Sequence, residues 1–341
     1  MTCREAMEAM KIVVAHAFPD EIVTRFHLAA PEAEVCVYDT HNLSDVPPEI
    51  LIDAEVLYSA GDLPAPEAAP ALQWVQAHSA GVDSLIRHPL FLRAEQAGRP
   101  IALTTAAGVH GPNISEYVLM MMLAFAHRLH RAFEMKQRRV WSNDRLSFLP
   151  AELHGATAGI IGYGGIGREV ARRCQAFGMR VLAMRHSGRH VPARENPLPQ
   201  SGVEFVARED LRDLLSASDY VVLAVPLSPQ TWHMIDRDAI ACMKPNAVLV
   251  NIGRGDVVDE AALIDALRER RIGGAALDVF HQEPLPADSP LWRLDNVILT
   301  PHIAGITPKY DERAGALFAE NLRRYTTGEP LLNRVDFARG Y

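Results

Sequence analysis

The chain has 341 residues, 48% of them hydrophobic and 22% charged, with a formal net charge of −8. That is room for two globular domains of ordinary size. It argues against a dedicated nucleic-acid binder, which concentrates basic charge on one domain. The four cysteines, Cys3, Cys36, Cys174 and Cys242, form no CxxC pair. Neither a disulfide framework nor a zinc site is expected, no metal ligand is assigned, and a reducing, cytoplasmic setting fits.

The N-terminal MTCREAMEAMK is charged and lacks the apolar core of a secretory signal. Short apolar runs then predict strands at 12–15, 34–38, 55–59, 72–75 and 101–103, separated by charged or proline-rich segments. This rhythm points to a parallel sheet with helices on both faces. At Pro112-Asn113 a helix is expected, with Asn113 as N-cap and Glu116 three residues later, running past Arg131. Its middle, YVLMMMLAFA at 117–126, is apolar all round but too short to span a bilayer. It is therefore expected to pack between domains or between subunits.

A second α/β unit follows, with predicted strands at 158–162, 180–184, 220–225, 247–252, 275–279 and 296–300. A last helix is expected over 308–325. The fold class is α/β, with two Rossmann-like, doubly wound parallel-sheet units.

Gly162-Tyr163-Gly164-Gly165-Ile166-Gly167 fits G-x-G-x-x-G between a strand and a helix. Ile166, Val170, Cys174 and Phe177 would form the apolar face of that helix. Gly162 would permit the tight turn, Gly164 the approach of a pyrophosphate, and Gly167 close packing of helix on strand. N–H groups of the helix N-terminus, beginning with Gly165 and Ile166, would then face phosphates. At the end of the next strand an NAD site usually places Asp or Glu on the ribose 2′-OH. Here stand Arg185, His186, Ser187 and, further on, Arg189. A guanidinium can grip a 2′-phosphate bidentately, so NADP is expected over NAD, with NAD possible.

The other strands of this unit also end in chemically distinctive residues. Val225 and Pro226 are followed by Thr231; Ile252 leads into Gly253-Arg254-Gly255-Asp256; Asp278 precedes His281, Glu283 and Pro284; and Pro301-His302 leads to Gly305. In an open parallel sheet the ligand crevice lies outside the strand carboxyl ends. Arg254 suits a carboxylate anchor and carbonyl polariser. His302 suits the proton donor to a developing alkoxide, and Glu283 an orienting carboxylate that stabilises the imidazolium.

The blocks AGVDSL (80–85), NIGRG, EPLP and TPHIAG together resemble the D-isomer-specific 2-hydroxyacid dehydrogenases over nearly the whole chain. The resemblance implies an active site of Arg254, Glu283 and His302, with Asp278 near the nicotinamide. It implies cofactor contacts from the glycine turn, Arg185–Ser187, Val225, Pro226, Thr231, Ile252, Gly253 and Gly305. Backbone N–H groups of Ala80 and Gly81 would bind the substrate carboxylate. It also implies a discontinuous substrate domain of 1–108 with 308–341, a dinucleotide-binding domain of 109–307, and a homodimer through the helices after 112. No nucleic acid or membrane partner is expected. Two departures stand out. Arg185 replaces the usual Asp, as in NADP-using glyoxylate/hydroxypyruvate reductases, and Tyr117 stands where a His is frequent. The reaction expected is reduction of a small 2-keto acid to the D-2-hydroxy acid. The alternatives are phosphite oxidation on the same fold and a dinucleotide-sensing corepressor. Formate dehydrogenases carry Gln at the Glu283 position.

Overall fold

The computed structural model describes residues 9–82, 85–141, 149–185 and 202–338. The chain divides into two compact units, Met1–Val109 with Thr307–Tyr341, and His110–Ile306. The first unit opens with β1 (Lys11–Ala15), α1 (Asp20–Ala29), β2 (Glu34–Tyr38), α2 (Pro48–Ile52) and β3 (Ala54–Ser59). It continues with β4 (Trp74–Ala77), α3 (Pro89–Gln96) and β5 (Ala102–Thr104). The five strands are all parallel, in the order β2-β1-β3-β4-β5. The interior strand β1 is Lys11 followed by the buried run Ile12-Val13-Val14-Ala15, as a strand covered on both faces requires.

The second unit begins with α4 (Gly111–Ala126) and α5 (Leu129–Arg138). Next come β6 (Thr157–Ile161), α6 (Gly165–Ala176), β7 (Arg180–Met184), β8 (Val203–Val206) and α7 (Leu211–Ala217). The unit is completed by β9 (Tyr220–Leu223), α8 (Arg237–Ala241), β10 (Val248–Asn251), α9 (Glu260–Arg268), β11 (Gly274–Leu277) and β12 (Val297–Leu299). These seven strands are parallel in the order β12-β11-β10-β9-β6-β7-β8. The chain reverses direction across this sheet at the β6/β9 pair, where an α/β crevice forms. Finally α10 (Tyr310–Thr327) returns to the first unit and packs on α1.

Several expectations need correction. Asn113 does not cap its helix. With Pro112 in the first turn the helix starts at Gly111, and Asn113 instead donates to the carbonyls of Ala304 (2.7 Å) and Ile306 (2.9 Å). Nor does that helix run on past Arg131. Arg128 takes a left-handed backbone, φ 53°, which ends α4 and starts α5. The buried side of the apolar α4 packs on α6 and β10, while Met120 on the same helix is exposed. Phe177 is not on the buried face of α6; it caps the helix and is exposed, whereas Val170 and Cys174 are buried. β4 lies two residues later than predicted because it holds the polar Gln76 inside the core.

Gln76 is tolerated there because its Oε1 accepts from Thr104 Oγ1 (2.8 Å) and Asn321 Nδ2 (3.2 Å). The fully buried Asn321 of α10 also holds the Leu332 backbone, accepting its N–H at 2.8 Å and donating to its carbonyl at 3.2 Å. Asn321→Leu would strand these buried groups. A loss of about 1–3 kcal/mol is expected, read as a lower urea midpoint. An unchanged midpoint would show that the network adds nothing.

Candidate active site

The glycine turn joins β6 to α6. Gly162 has φ +103°, and a Cβ there would lie 2.5 Å from the Ala224 carbonyl oxygen. At Gly167 a Cβ would lie 2.0 Å from the Gly162 oxygen, so any side chain would push α6 off the turn. A Cβ on Gly164, the N-cap of α6, would meet no atom within 4 Å. The turn therefore presents bare backbone and the N–H groups of a 12-residue helix to open space. That donor arrangement suits a pyrophosphate, and these residues fit a dinucleotide.

Arg185 follows β7, and its guanidinium carbon sits 4.4 Å from the centroid of the Phe205 ring. The Phe205 ring meets Tyr163, within the glycine turn, edge to face at 5.0 Å. The cation is thus stacked on an aromatic platform fixed to the turn. His186 and Ser187 lie outside the described residues.

At the neighbouring strand ends, loops are held by a single carboxylate. Buried Asp278, just after β11, accepts from Thr300 Oγ1 (2.6 Å), Ile303 N (2.9 Å) and Ala304 N (2.9 Å). Its carbonyl accepts the His302 N–H at 2.9 Å. These bonds hold His302 in a left-handed backbone, φ 53°, which costs an L-residue roughly 1–2 kcal/mol. The imidazole is directed to Glu283, with Nδ1 to Oε2 at 2.7 Å, while Glu283 Oε1 accepts the Phe280 N–H at 3.0 Å. Nδ1 is thereby engaged by the carboxylate, and Nε2 is the nitrogen turned away from it. A cavity of about 540 Å³ opens beside this pair, walled by Phe280, Leu285, Trp292 and Leu299.

Arg254 lies at the end of β10, next to β11 in the sheet. Asn251 shapes its loop, donating to the Arg254 carbonyl at 3.0 Å and accepting the Gly253 N–H at 3.1 Å. A Cβ on Gly255 would lie 2.0 Å from the Phe280 carbonyl, so the Arg254 loop runs directly against the segment that leads to Glu283. Pro226 and Thr231 close the loop after β9, where Thr231 Oγ1 donates to the Pro226 carbonyl at 2.7 Å. Ile252 is buried, and His110 Nδ1 contacts the Gly305 carbonyl at 3.3 Å.

Comparison with known proteins bears on this arrangement. The family described as "D-isomer specific 2-hydroxyacid dehydrogenase, NAD binding domain" matches residues 119–304. The chain belongs to the D-isomer specific 2-hydroxyacid dehydrogenases. A glyoxylate reductase of Korarchaeum cryptofilum is 38% identical over 287 residues, covering 84% of this chain and 80% of that protein. The D-3-phosphoglycerate dehydrogenase of Methanocaldococcus jannaschii is 40% identical over 237 residues, 69% of this chain. The match takes in only 43% of that longer relative. Among solved structures, the NADPH-dependent glyoxylate/hydroxypyruvate reductase of Sinorhizobium meliloti, in complex with NADP and sulfate, has a TM-score of 0.77 at 26% identity. The likeness covers 97% of this chain and 100% of that one.

Within this dehydrogenase, two residues carry roles that motif reading did not supply. Tyr117, on α4, bonds Thr300 Oγ1 through its hydroxyl at 2.6 Å, and Thr300 in turn bonds Asp278. Burial pushes its phenol up to about 12, so Tyr117 stays neutral and acts as a brace behind the His302 loop. Phe205 belongs to β8, an edge strand that no apolar run announced. Conversely His281, singled out with Glu283, turns to Asp256 instead, with Nδ1 to Oδ1 at 2.5 Å. That hydrogen bond and the adjacent carboxylate charge raise its imidazole above the usual range. Ala80 and Gly81 follow β4 in the first unit, where the Ser79 hydroxyl donates to the Gly81 carbonyl at 2.7 Å.

Proposed function

We propose that the protein reduces a small 2-keto acid of the glyoxylate or hydroxypyruvate class to its D-2-hydroxy acid, using NADPH in preference to NADH. The observation that carries this reading is the His302–Glu283 pair, at 2.7 Å, on the same strand-end edge as the glycine turn and Arg254. The unit His110–Ile306 holds the dinucleotide and the discontinuous unit carries substrate contacts. A bound nicotinamide cofactor supplies the two reducing electrons to the carbonyl carbon.

The chain's own residues do the rest. Arg254 binds the substrate carboxylate and polarises the carbonyl. The N–H groups of Ala80 and Gly81 are further carboxylate donors. His302 gives its Nε2 proton to the carbonyl oxygen as negative charge develops there. Glu283 fixes the ring through its Nδ1. Gly162, Gly164, Gly165, Ile166 and Gly167 shape the phosphate cradle. Val225, Pro226, Thr231, Ile252, Gly253 and Gly305 line the cofactor's path, and Arg185 with His186 and Ser187 reads the 2′-phosphate. Asp278 acts through the His302 loop it anchors.

Exposed apolar side chains along α4, α5 and the following turn, namely Met120, Leu129, Phe133, Val140 and Trp141, support a homodimer through this face.

A panel of 2-keto acids assayed with NADPH and NADH in parallel tests the reading. Turnover of glyoxylate and hydroxypyruvate with a lower KM for NADPH is expected. Absence of turnover with every keto acid would overturn the enzymatic reading and favour a dinucleotide-binding role. Preference for NADH would overturn only the cofactor assignment.

A further inference from the structure

The first unit carries a side-chain cluster that the dehydrogenase chemistry does not use. His16 directly follows β1, His78 directly follows β4, and Asp311 lies in the first turn of α10. All three stand at the carboxyl edge of the five-stranded sheet, where parallel sheets bind ligands. Asp311 Oδ1 is 3.1 Å from His16 Nε2 and 3.9 Å from His78 Nε2. One donor atom from each residue lies within 4.8 Å of the other two.

From this geometry we propose that His16, His78 and Asp311 bind a divalent transition-metal ion of the zinc class. Two imidazoles and one carboxylate are a donor set that zinc accepts in tetrahedral geometry, with the fourth position left to water. Bonds of about 2.0–2.2 Å to a common ion need donors a little over 3 Å apart, so the His78 ring, tilted against that of His16 at 4.2 Å between centroids, must shift on both Asp311 and His16 to complete the site. The supporting residues fit. Tyr58 hydroxyl meets His78 Nδ1 at 2.6 Å, which fixes the ring with Nε2 turned to Asp311. Tyr310 donates to the His78 carbonyl and holds its backbone. An entry path exists as well. The His16 side chain is 5% exposed and that of His78 20%, but Asp311 is 41% exposed, so one side of the cluster is open to solvent.

One nitrogen, His16 Nδ1, is buried with no hydrogen-bond partner. The cluster is therefore not a closed hydrogen-bond network whose polar atoms are all satisfied. His16 and Asp311 are 295 residues apart in sequence. An ion there would tie the returning C-terminal helix to the N-terminal strands, and the expected consequence is structural.

The test uses full-length, tag-free protein stripped with chelator and then dialysed against micromolar zinc. One equivalent of zinc per chain and a raised Tm are expected. Cobalt(II) in place of zinc should give the visible absorption bands of a tetrahedral site, and excess zinc should abolish them. Asp311→Asn and His16→Ala should lose the equivalent while keeping the far-ultraviolet circular dichroism of the wild type. Tyr58→Phe, which removes only the support to His78, should weaken zinc about 10–100-fold. Wild-type protein that takes up no stoichiometric zinc and shows no cobalt bands overturns the proposal without any variant. So does equal uptake by wild type and Asp311→Asn.

Discussion

His302→Gln is expected to lower kcat/KM for keto-acid reduction by about 10²–10⁴-fold, the usual contribution of a positioned proton donor. Glutamine keeps a hydrogen-bonding side chain near Glu283 Oε2, so the carboxylate is not left bare, but it has no proton to give. The loop geometry should survive, because Asp278 holds residues 302–304 through their backbone N–H groups rather than through the imidazole. Dinucleotide binding, followed by quenching of protein fluorescence, should therefore change little. A loss of less than about tenfold would assign the proton to another group.

Much of this site was legible because its parts are local. The glycine turn is a contiguous string, and Gly162 and Gly167 are sterically required where the motif puts them. Strand 180–184 was legible to the residue, since the apolar run VLAM follows a glycine turn and Arg180 and is bounded by polar residues after it. The family blocks marked Glu283 and His302, which the structure pairs at 2.7 Å. What stayed hidden depends on contacts between residues far apart in the chain. Tyr117 stands out in the sequence only as a departure from a frequent His, and its part becomes visible only when its hydroxyl meets Thr300, 183 residues on. Nothing in PHIAG discloses that His302 adopts a left-handed backbone, because Asp278 imposes it from another strand. The break at Arg128 has no glycine or proline to mark it. β8 escaped notice because Glu204 and Phe205 are both exposed on an edge strand, so VEFV shows no buried run. Asn113 misled for the opposite reason. Its residue type is that of a good cap, but Pro112 had already set the first turn, and the amide was free to hold the Ala304 carbonyl.

Arg185→Asp is expected to invert the cofactor preference. If Arg185 grips the 2′-phosphate, its loss removes one or two charge-assisted bonds worth about 1.5–3 kcal/mol each. The new carboxylate also repels the phosphate while accepting a hydrogen bond from a free ribose hydroxyl. kcat/KM for NADPH should fall on the order of 10²-fold or more, and that for NADH should rise. The stacking of Arg185 on Phe205, 4.4 Å from guanidinium carbon to ring centroid, yields a graded companion. Phe205→Ala removes the platform but keeps the charge, so only the placement of the guanidinium is lost. An exposed cation–π contact is worth about 0.5–1 kcal/mol, which corresponds to a roughly two- to fivefold rise in KM for NADPH. KM for NADH and kcat with either cofactor should hold, and Phe205→Tyr should restore the NADPH value. The two variants separate two physical claims. If Arg185→Asp leaves the NADPH/NADH ratio unchanged, the guanidinium does not meet the 2′-phosphate and the stacking serves only the edge of the sheet. If Arg185→Asp shifts the ratio and Phe205→Ala does not, the cation reads the phosphate but reaches it unaided by the ring.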